Sequence, residues 1–386
     1  MVKPGIAVLA ERGFAELRGL RIGLVTNPTG VLPGGTTTID ALFRAPGIKL
    51  SALFGPEHGV RGDTAAGESV STRTDARTGL PAYSLYGATK SPTAAMLRGI
   101  DALVFDIQDI GCRSYTYLST LGAVLEGAAR HHVPVIVCDR PNLLGGAHVE
   151  GTPTHPGFVS FVSRYPVAYR HGMTLGEAAR FLVGRGIVPK LELHVIPCAN
   201  LTRTMAGWES FGGLPWIPTS PNIPTPDAAV LYAVTGIVGE LPAVSIGIGT
   251  DAPFGYFGAP GVSAERLAAA LNAYPLSGFT FQPATWTPRK GTFAGTSCGG
   301  VRIRVSDIAR AELCRPNFAL LCALRTAAPQ IKPFAQIELF DVSCGTDAVR
   351  RAFLKGASEA DVWAVFQEGV GAFDKARVPY LLYPAG

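Results

Sequence analysis

The chain has 386 residues, enough for two to three domains around a sizeable core. Its 47% hydrophobic and only 16% charged residues exclude a disordered chain and leave a compact protein. The 34 basic and 29 acidic residues give a net charge of +5 with no lysine-rich block, which argues against nucleic acid as a partner.

No apolar stretch approaches the ~18 residues that a membrane-spanning helix needs. The start, Met1-Val2-Lys3-Pro4-Gly5, lacks the apolar segment of a signal peptide. A cytoplasmic location is therefore expected, or a periplasmic or secreted one if a leader has been removed. Seven cysteines without a Cys-x-x-Cys pair or matching histidines read as reduced, buried thiols, so neither zinc nor any other metal site is expected. Forty-six glycines and 30 prolines without a triplet period imply many shaped loops.

Arg21 to Thr26 is a short apolar run ending in Asn27-Pro28-Thr29-Gly30, the pattern of a buried strand entering a turn. The unit recurs. Lys49 to Phe54 runs into Pro56-Glu57-His58-Gly59, Pro81 to Tyr86 into Gly87, Ala102 to Ile107 into Gln108-Asp109, and Val133 to Cys138 into Asp139-Arg140-Pro141-Asn142. Helices are predicted between them, over Thr93 to Gly99 with Ser91 as N-cap and over Tyr115 to Arg130. Strands alternating with helices predict an α/β fold, a doubly wound parallel sheet, whose ligands bind outside the carboxyl ends of the strands. Polar residues gather at those exits, whereas the entering ends read Pro46-Gly47 and Gly99-Ile100-Asp101.

Thr174-x-x-Glu177 is a capping box that opens a helix ending near Gly184, which makes Glu177 structural. Residues 215–226 hold five prolines and predict a rigid, extended loop. A second, smaller α/β unit follows, with strands near 279–286 and 300–306 and helices near 263–273, 316–327, 346–355 and 359–373. The division is expected at 1–250 and 251–386. Gly247-x-Gly249-x-x-Ala252 resembles a dinucleotide fingerprint in form but does not leave a first strand, and Gly295-Thr296-Ser297-Cys298-Gly299 leads into a strand rather than out of one. Neither carries its motif's chemistry, so no nucleotide cofactor is expected and an oxidoreductase is disfavoured.

Glu57 and His58 are the strongest local candidates, because a carboxyl at the end of an apolar strand is partly desolvated and suits a general acid. Asp106, Gln108 and Asp109 with Arg113 offer paired carboxylates and a cation. Tyr115 and Tyr117 can present aromatic faces to a sugar. Arg170 and His171, before the capped helix, can hold an anionic group, whereas His131 and His132 close a helix and complement its dipole.

Several of these segments together resemble one family. Gly23 to Val31, Pro56-Glu57-His58-Gly59 with Gly67-Glu68, Ser84-Leu85-Tyr86-Gly87, Asp106 to Gly111, Asp139-Arg140-Pro141-Asn142, Arg170 to Thr174, Ser220-Pro221-Asn222 and Tyr380 to Tyr383 are similar to the exo-acting β-N-acetylmuramidases of bacterial cell-wall recycling, the NamZ-like proteins. The resemblance spans nearly the whole chain.

It implies a Rossmann-like domain joined to a smaller one, acting without a cofactor to release terminal N-acetylmuramic acid from peptidoglycan fragments. Glu57 is the implied catalytic residue, with His58 beside it and Asp106, Asp109 or Glu68 as the second group. The implied sugar contacts are Asn27, Glu68, Tyr86, Gln108, Arg113, Tyr115, Tyr117, Asp139, Arg140, Asn142, Arg170, His171 and Asn222. The alternative is a non-catalytic amino-sugar-binding protein. Two places depart from the family. Ile246 and Ile248 stand where it carries an acid and a base, and Ser114 replaces an aromatic residue. The isoleucines predict an apolar cleft wall that penalises the lactyl carboxylate of N-acetylmuramic acid.

Overall fold

The computed structural model describes residues 1–57, 59–62, 73–87 and 89–386. Seven strands form the main sheet: β1 (Arg21–Thr26), β2 (Lys49–Gly55), β3 (Arg73–Thr74), β4 (Pro81–Ser84), β5 (Ala102–Asp106), β6 (Val135–Cys138) and β7 (Leu193–Ile196). Their order is β3-β4-β2-β1-β5-β6-β7. All neighbours are parallel except β3 with β4. The chain thus winds outward from β1 to β4, returns to the middle at β5 and winds outward again. That reversal is the topological switch point of a doubly wound sheet.

Alternation along each central strand explains how both faces are covered. Val25, Phe54, Leu103, Phe105, Val135 and Val137 face the cluster beneath the helices Tyr117–Arg130 and Leu175–Gly184. Ile22, Leu24, Leu53, Val104 and Ile136 face the opposite cluster, with Ile6, Leu9, Ile39 and Leu42. Successive residues point to opposite faces, so a strand buried on both must be apolar throughout. Gly23 is required on β1, because a Cβ there would lie 2.7 Å from Phe54 and 2.8 Å from Leu103.

The second unit is a three-stranded antiparallel sheet, ordered β8-β10-β9, of β8 (Tyr256–Ala259), β9 (Phe279–Trp286) and β10 (Cys298–Val305). It shares one apolar cluster with the helices Pro226–Thr235, Ala264–Asn272 and Pro316–Ala327. Residues 228–246 contribute to that same cluster. The C-terminal segment then crosses back, with Phe373 in the core under the main sheet and Arg180 donating to the carbonyls of Tyr380 and Leu381.

The predicted helix over Thr93–Gly99 is corrected to a series of turns. Ser91 is not an N-cap: its hydroxyl donates to the Ala123 carbonyl at 2.8 Å, and Gly99, at φ +75°, ends the segment within two turns. The helix expected over 359–373 is two, Glu359–Phe366 and Val370–Arg377, parted by Gly369 at φ +80°. The cysteines are free and buried, as read from their spacing. Among the described residues, no helix is long and apolar enough to cross a membrane.

The capping box at Thr174 and Glu177 is complete, and the Thr174 hydroxyl also donates to Asp139 at 2.6 Å. Thr174→Ala is expected to cost about 1–2 kcal/mol in urea unfolding, the upper range for a lost cap. An unchanged midpoint would contradict this role.

Candidate functional site

Around the switch point, four strands deliver polar residues at one edge of the sheet. After β1, the Asn27 Oδ1 accepts from the Thr29 amide at 3.0 Å, and the Thr29 hydroxyl accepts from the Gln108 amide at 2.8 Å. This ties the exit of β1 to that of β5. Over it opens a shallow groove, continuous with solvent and with an enclosed volume of only about 10 Å3, lined by residues that include Thr29, Gln108, Arg140 and Trp208.

Glu57, two residues beyond β2, is half-buried. Its carboxylate accepts from the Thr116 hydroxyl at 3.2 Å and lies close enough to the Tyr86 phenol for its charge to act there. Burial and then the Glu57 charge raise the Tyr86 pKa. Tyr115 and Tyr117 stand edge to face at 4.9 Å and donate to the Thr219 hydroxyl and carbonyl at 2.8 and 2.6 Å. Burial drives both phenols up; Asp109 adds to this at Tyr115, and Glu57 at Tyr117. The charges of both carboxylates, Glu57 and Asp109, therefore act on one tyrosine pair. Asn222 lies half-buried in the turn just after Thr219.

Asp109 takes the Gly111 amide on Oδ2 at 2.8 Å, and among the described residues its Oδ1 has no partner. Gln108 Oε1 and His171 Nε2 are likewise buried without one. The His171 Nδ1 accepts from the Met173 amide, so a neutral ring carries its proton on Nε2, which lies 3.8 Å from Asp109 Oδ2. Buried polar atoms left unpaired are costly, and here three of them sit on adjoining loops.

Other predicted site residues are corrected to structural roles. Asp106 is fully buried, takes Arg140 at 2.6 and 2.9 Å and accepts from the Thr38 hydroxyl. Its oxygens are saturated and cannot serve as a base. Arg140 completes its fork on the Val31 carbonyl. Asp139 accepts from the amides of Arg140 and Gly176 and from the hydroxyls of Thr174 and Tyr383, which latches the C-terminal segment onto β6.

Asn142 joins the Met173 carbonyl to the Leu144 amide. Arg113 is buried and donates to the carbonyls of Thr152, Val167 and Ser343. Arg170 is spent on Glu150 and the Leu144 carbonyl. His58 and Glu68 lie outside the described residues. The apolar wall expected from Ile246 and Ile248 is core instead: Ile246 is 8% exposed and packs on Gly239, and Ile248 packs against the same cluster.

Thr116, Thr219 and Glu240 were not visible as candidates in the sequence. Ser114 bonds the hydroxyls of both Tyr169 and Tyr232 at 3.0 Å, and the Tyr232 ring stands edge-on to Tyr115 at 5.7 Å. Burial raises the carboxyl of Glu240 to about 7, and its charge acts on Tyr232. A separate cavity of about 450 Å3 lies between the helix Pro226–Thr235 and β10, lined by Asp227, Asp251, Arg302 and Arg304 among others. None of the predicted site residues lines it.

Fold and site together define a doubly wound α/β protein with Glu57, Asp109 and a tyrosine pair on the loops around its switch point. Residues 22–227 match the N-terminal and residues 230–383 the C-terminal part of the family described as exo-beta-N-acetylmuramidase NamZ. The chain belongs to that family. It is 38% identical over 382 residues to the peptidoglycan beta-N-acetylmuramidase NamZ of Bacillus subtilis, covering 99% of this chain and 91% of that protein. It is also similar to the crystal structures of two DUF1343 family proteins from Bacteroides fragilis. One is 41% identical with a TM-score of 0.94, covering 99% of both chains. The other is 29% identical with a TM-score of 0.78, covering 100% of both.

Arg140→Met leaves the Asp106 carboxylate buried and uncompensated, so a loss of about 3–5 kcal/mol is expected in chemical unfolding. A loss below 1 kcal/mol would show that the pair is dispensable. For Glu240, the folded protein favours the neutral carboxyl. The benefit is complete below the usual pKa near 4.5 and disappears as pH rises through about 7. Glu240→Gln should therefore gain about 3 kcal/mol on wild type between pH 4.5 and 8. A difference that does not vary with pH would contradict it.

Proposed function

We propose that this protein is an exo-acting glycosidase that releases terminal N-acetylmuramic acid from the non-reducing end of peptidoglycan fragments, with Glu57 as the general acid. Membership of the exo-beta-N-acetylmuramidase family along nearly the whole chain supports the activity. The position of Glu57, just beyond β2 at the switch point, bonded to the Thr116 hydroxyl and with its charge acting on the Tyr86 phenol, is the observation that carries its role.

In this reading Glu57 gives its proton to the glycosidic oxygen as the bond from that oxygen to the anomeric carbon breaks. The departing sugar chain leaves as an alcohol, and water supplies the hydroxyl of the released sugar. Asp109 is the second carboxylate. Its charge acts on the same tyrosine pair and, among the described residues, one of its oxygens has no partner, whereas Asp106 has none to offer. Tyr115 and Tyr117, fixed on Thr219, form the wall beside the ring, and their raised pKa values keep them neutral hydrogen-bonding groups at physiological pH.

Glu57→Gln should fold normally and lose at least ~10²-fold in kcat on a chromogenic N-acetylmuramide. Near-normal turnover in the folded variant would remove Glu57 from the chemistry. Wild type that binds the sugar without hydrolysing it would instead favour a binding protein.

A further inference from the structure

N-acetylmuramic acid differs from N-acetylglucosamine by a lactyl ether on O3, and that ether carries a carboxylate. A site that selects the muramyl sugar needs a cation near its catalytic carboxylate whose charge is not already spent on the protein. Most cations around the cleft are committed. Arg140 is bound to Asp106, Arg61 to Asp75 and Arg170 to Glu150, and Arg113 gives its fork to three backbone carbonyls.

Lys90 differs from them. Its ammonium lies 4.3 Å from the centre of the Phe161 ring. Phe161 in turn stands edge-on to Tyr86 at 6.3 Å, and Glu57 lies close enough to that phenol for its charge to act on it. Lys90 is exposed and Phe161 half-buried. Among the described residues, the ammonium has the ring as its contact and no carboxylate partner. An aromatic face attracts a cation without neutralising it, so the charge is held in place and stays available. Holding it in advance also lowers the ordering cost when a carboxylate arrives.

We propose that Lys90 selects the muramyl sugar: seated on Phe161, its ammonium pairs with the lactyl carboxylate of a ring whose glycosidic oxygen faces Glu57. The assignment rests on the glycosidase reading above and goes beyond it to substrate choice. It also gives a chain with isoleucines at 246 and 248 a partner for that carboxylate, because Ile246 is buried and Ile248 packs against the same cluster. Pairing at an exposed ammonium is screened by salt, so the preference should weaken as ionic strength rises.

The test is calorimetric titration of the intact wild type, Lys90→Met and Lys90→Arg with free N-acetylmuramic acid and with N-acetylglucosamine, alongside hydrolysis of the chromogenic muramide. Wild type should prefer the muramyl sugar. Lys90→Met should reduce that preference at least ~10-fold, the scale of one charge-assisted hydrogen bond, and Lys90→Arg should retain most of it. In hydrolysis, the loss should fall on KM rather than kcat. An unchanged preference in folded Lys90→Met overturns the assignment even if wild type hydrolyses the muramide. A wild type that hydrolyses nothing overturns the glycosidase reading, and the binding ratios still decide on Lys90. Binding of neither sugar overturns both.

Discussion

Asp106 occupies the last position of β5, in register with Thr26 of β1, and its carboxylate receives the guanidinium of Arg140 from the exit of β6. All of this is buried where the sheet reverses direction. Water cannot solvate either ion there, so each depends on the other and on Thr38 and the Val31 carbonyl for its hydrogen bonds. The pair fixes the exits of three strands relative to one another. Thr26 reinforces it by donating to the Asp106 carbonyl. The loops that carry Asn27, Gln108 and Asp109 start from this fixed point, and the shape of the cleft follows from it.

A second layer of fixed geometry lies above that pair. Tyr115 and Tyr117 enter the long helix from the β5 loop and anchor on Thr219, which belongs to the proline-rich segment leading to the second unit. Ser114 connects the same turn to Tyr169 and to Tyr232 on the helix Pro226–Thr235. The second unit is thus tied to this turn through hydroxyl contacts and the edge-on packing of Tyr115 on Tyr232. Tyr383 returns from the chain end to Asp139 and locks the arrangement from the β6 side.

The architecture was legible because a parallel sheet covered on both faces demands unbroken apolar runs, and Arg21–Thr26 and Ala102–Asp106 show them plainly. Glu57 was legible as a carboxyl leaving such a run. The roles of Asp106, Asp139, Arg140 and Arg170 were not. A charged residue at a strand exit looks the same in sequence whether it faces substrate or a buried counter-ion, and only the approach of residues distant in the chain decides. The helix expected over Thr93–Gly99 failed for a related reason: the Ser91 hydroxyl is drawn to the Ala123 carbonyl of a neighbouring helix. Lys90 and Phe161 lie 71 residues apart and carry no motif, so their contact left no trace in the sequence.

The central claim is that chemistry occurs at the switch-point cleft. The most direct measurement is a crystal structure of the Glu57→Gln variant soaked with an N-acetylmuramyl-N-acetylglucosamine disaccharide. The account predicts the non-reducing ring against Tyr115 and Tyr86, with its glycosidic oxygen within hydrogen-bonding reach of residue 57. A disaccharide seated instead in the cavity lined by Asp227, Asp251, Arg302 and Arg304, with the cleft at Glu57 left empty, would contradict it.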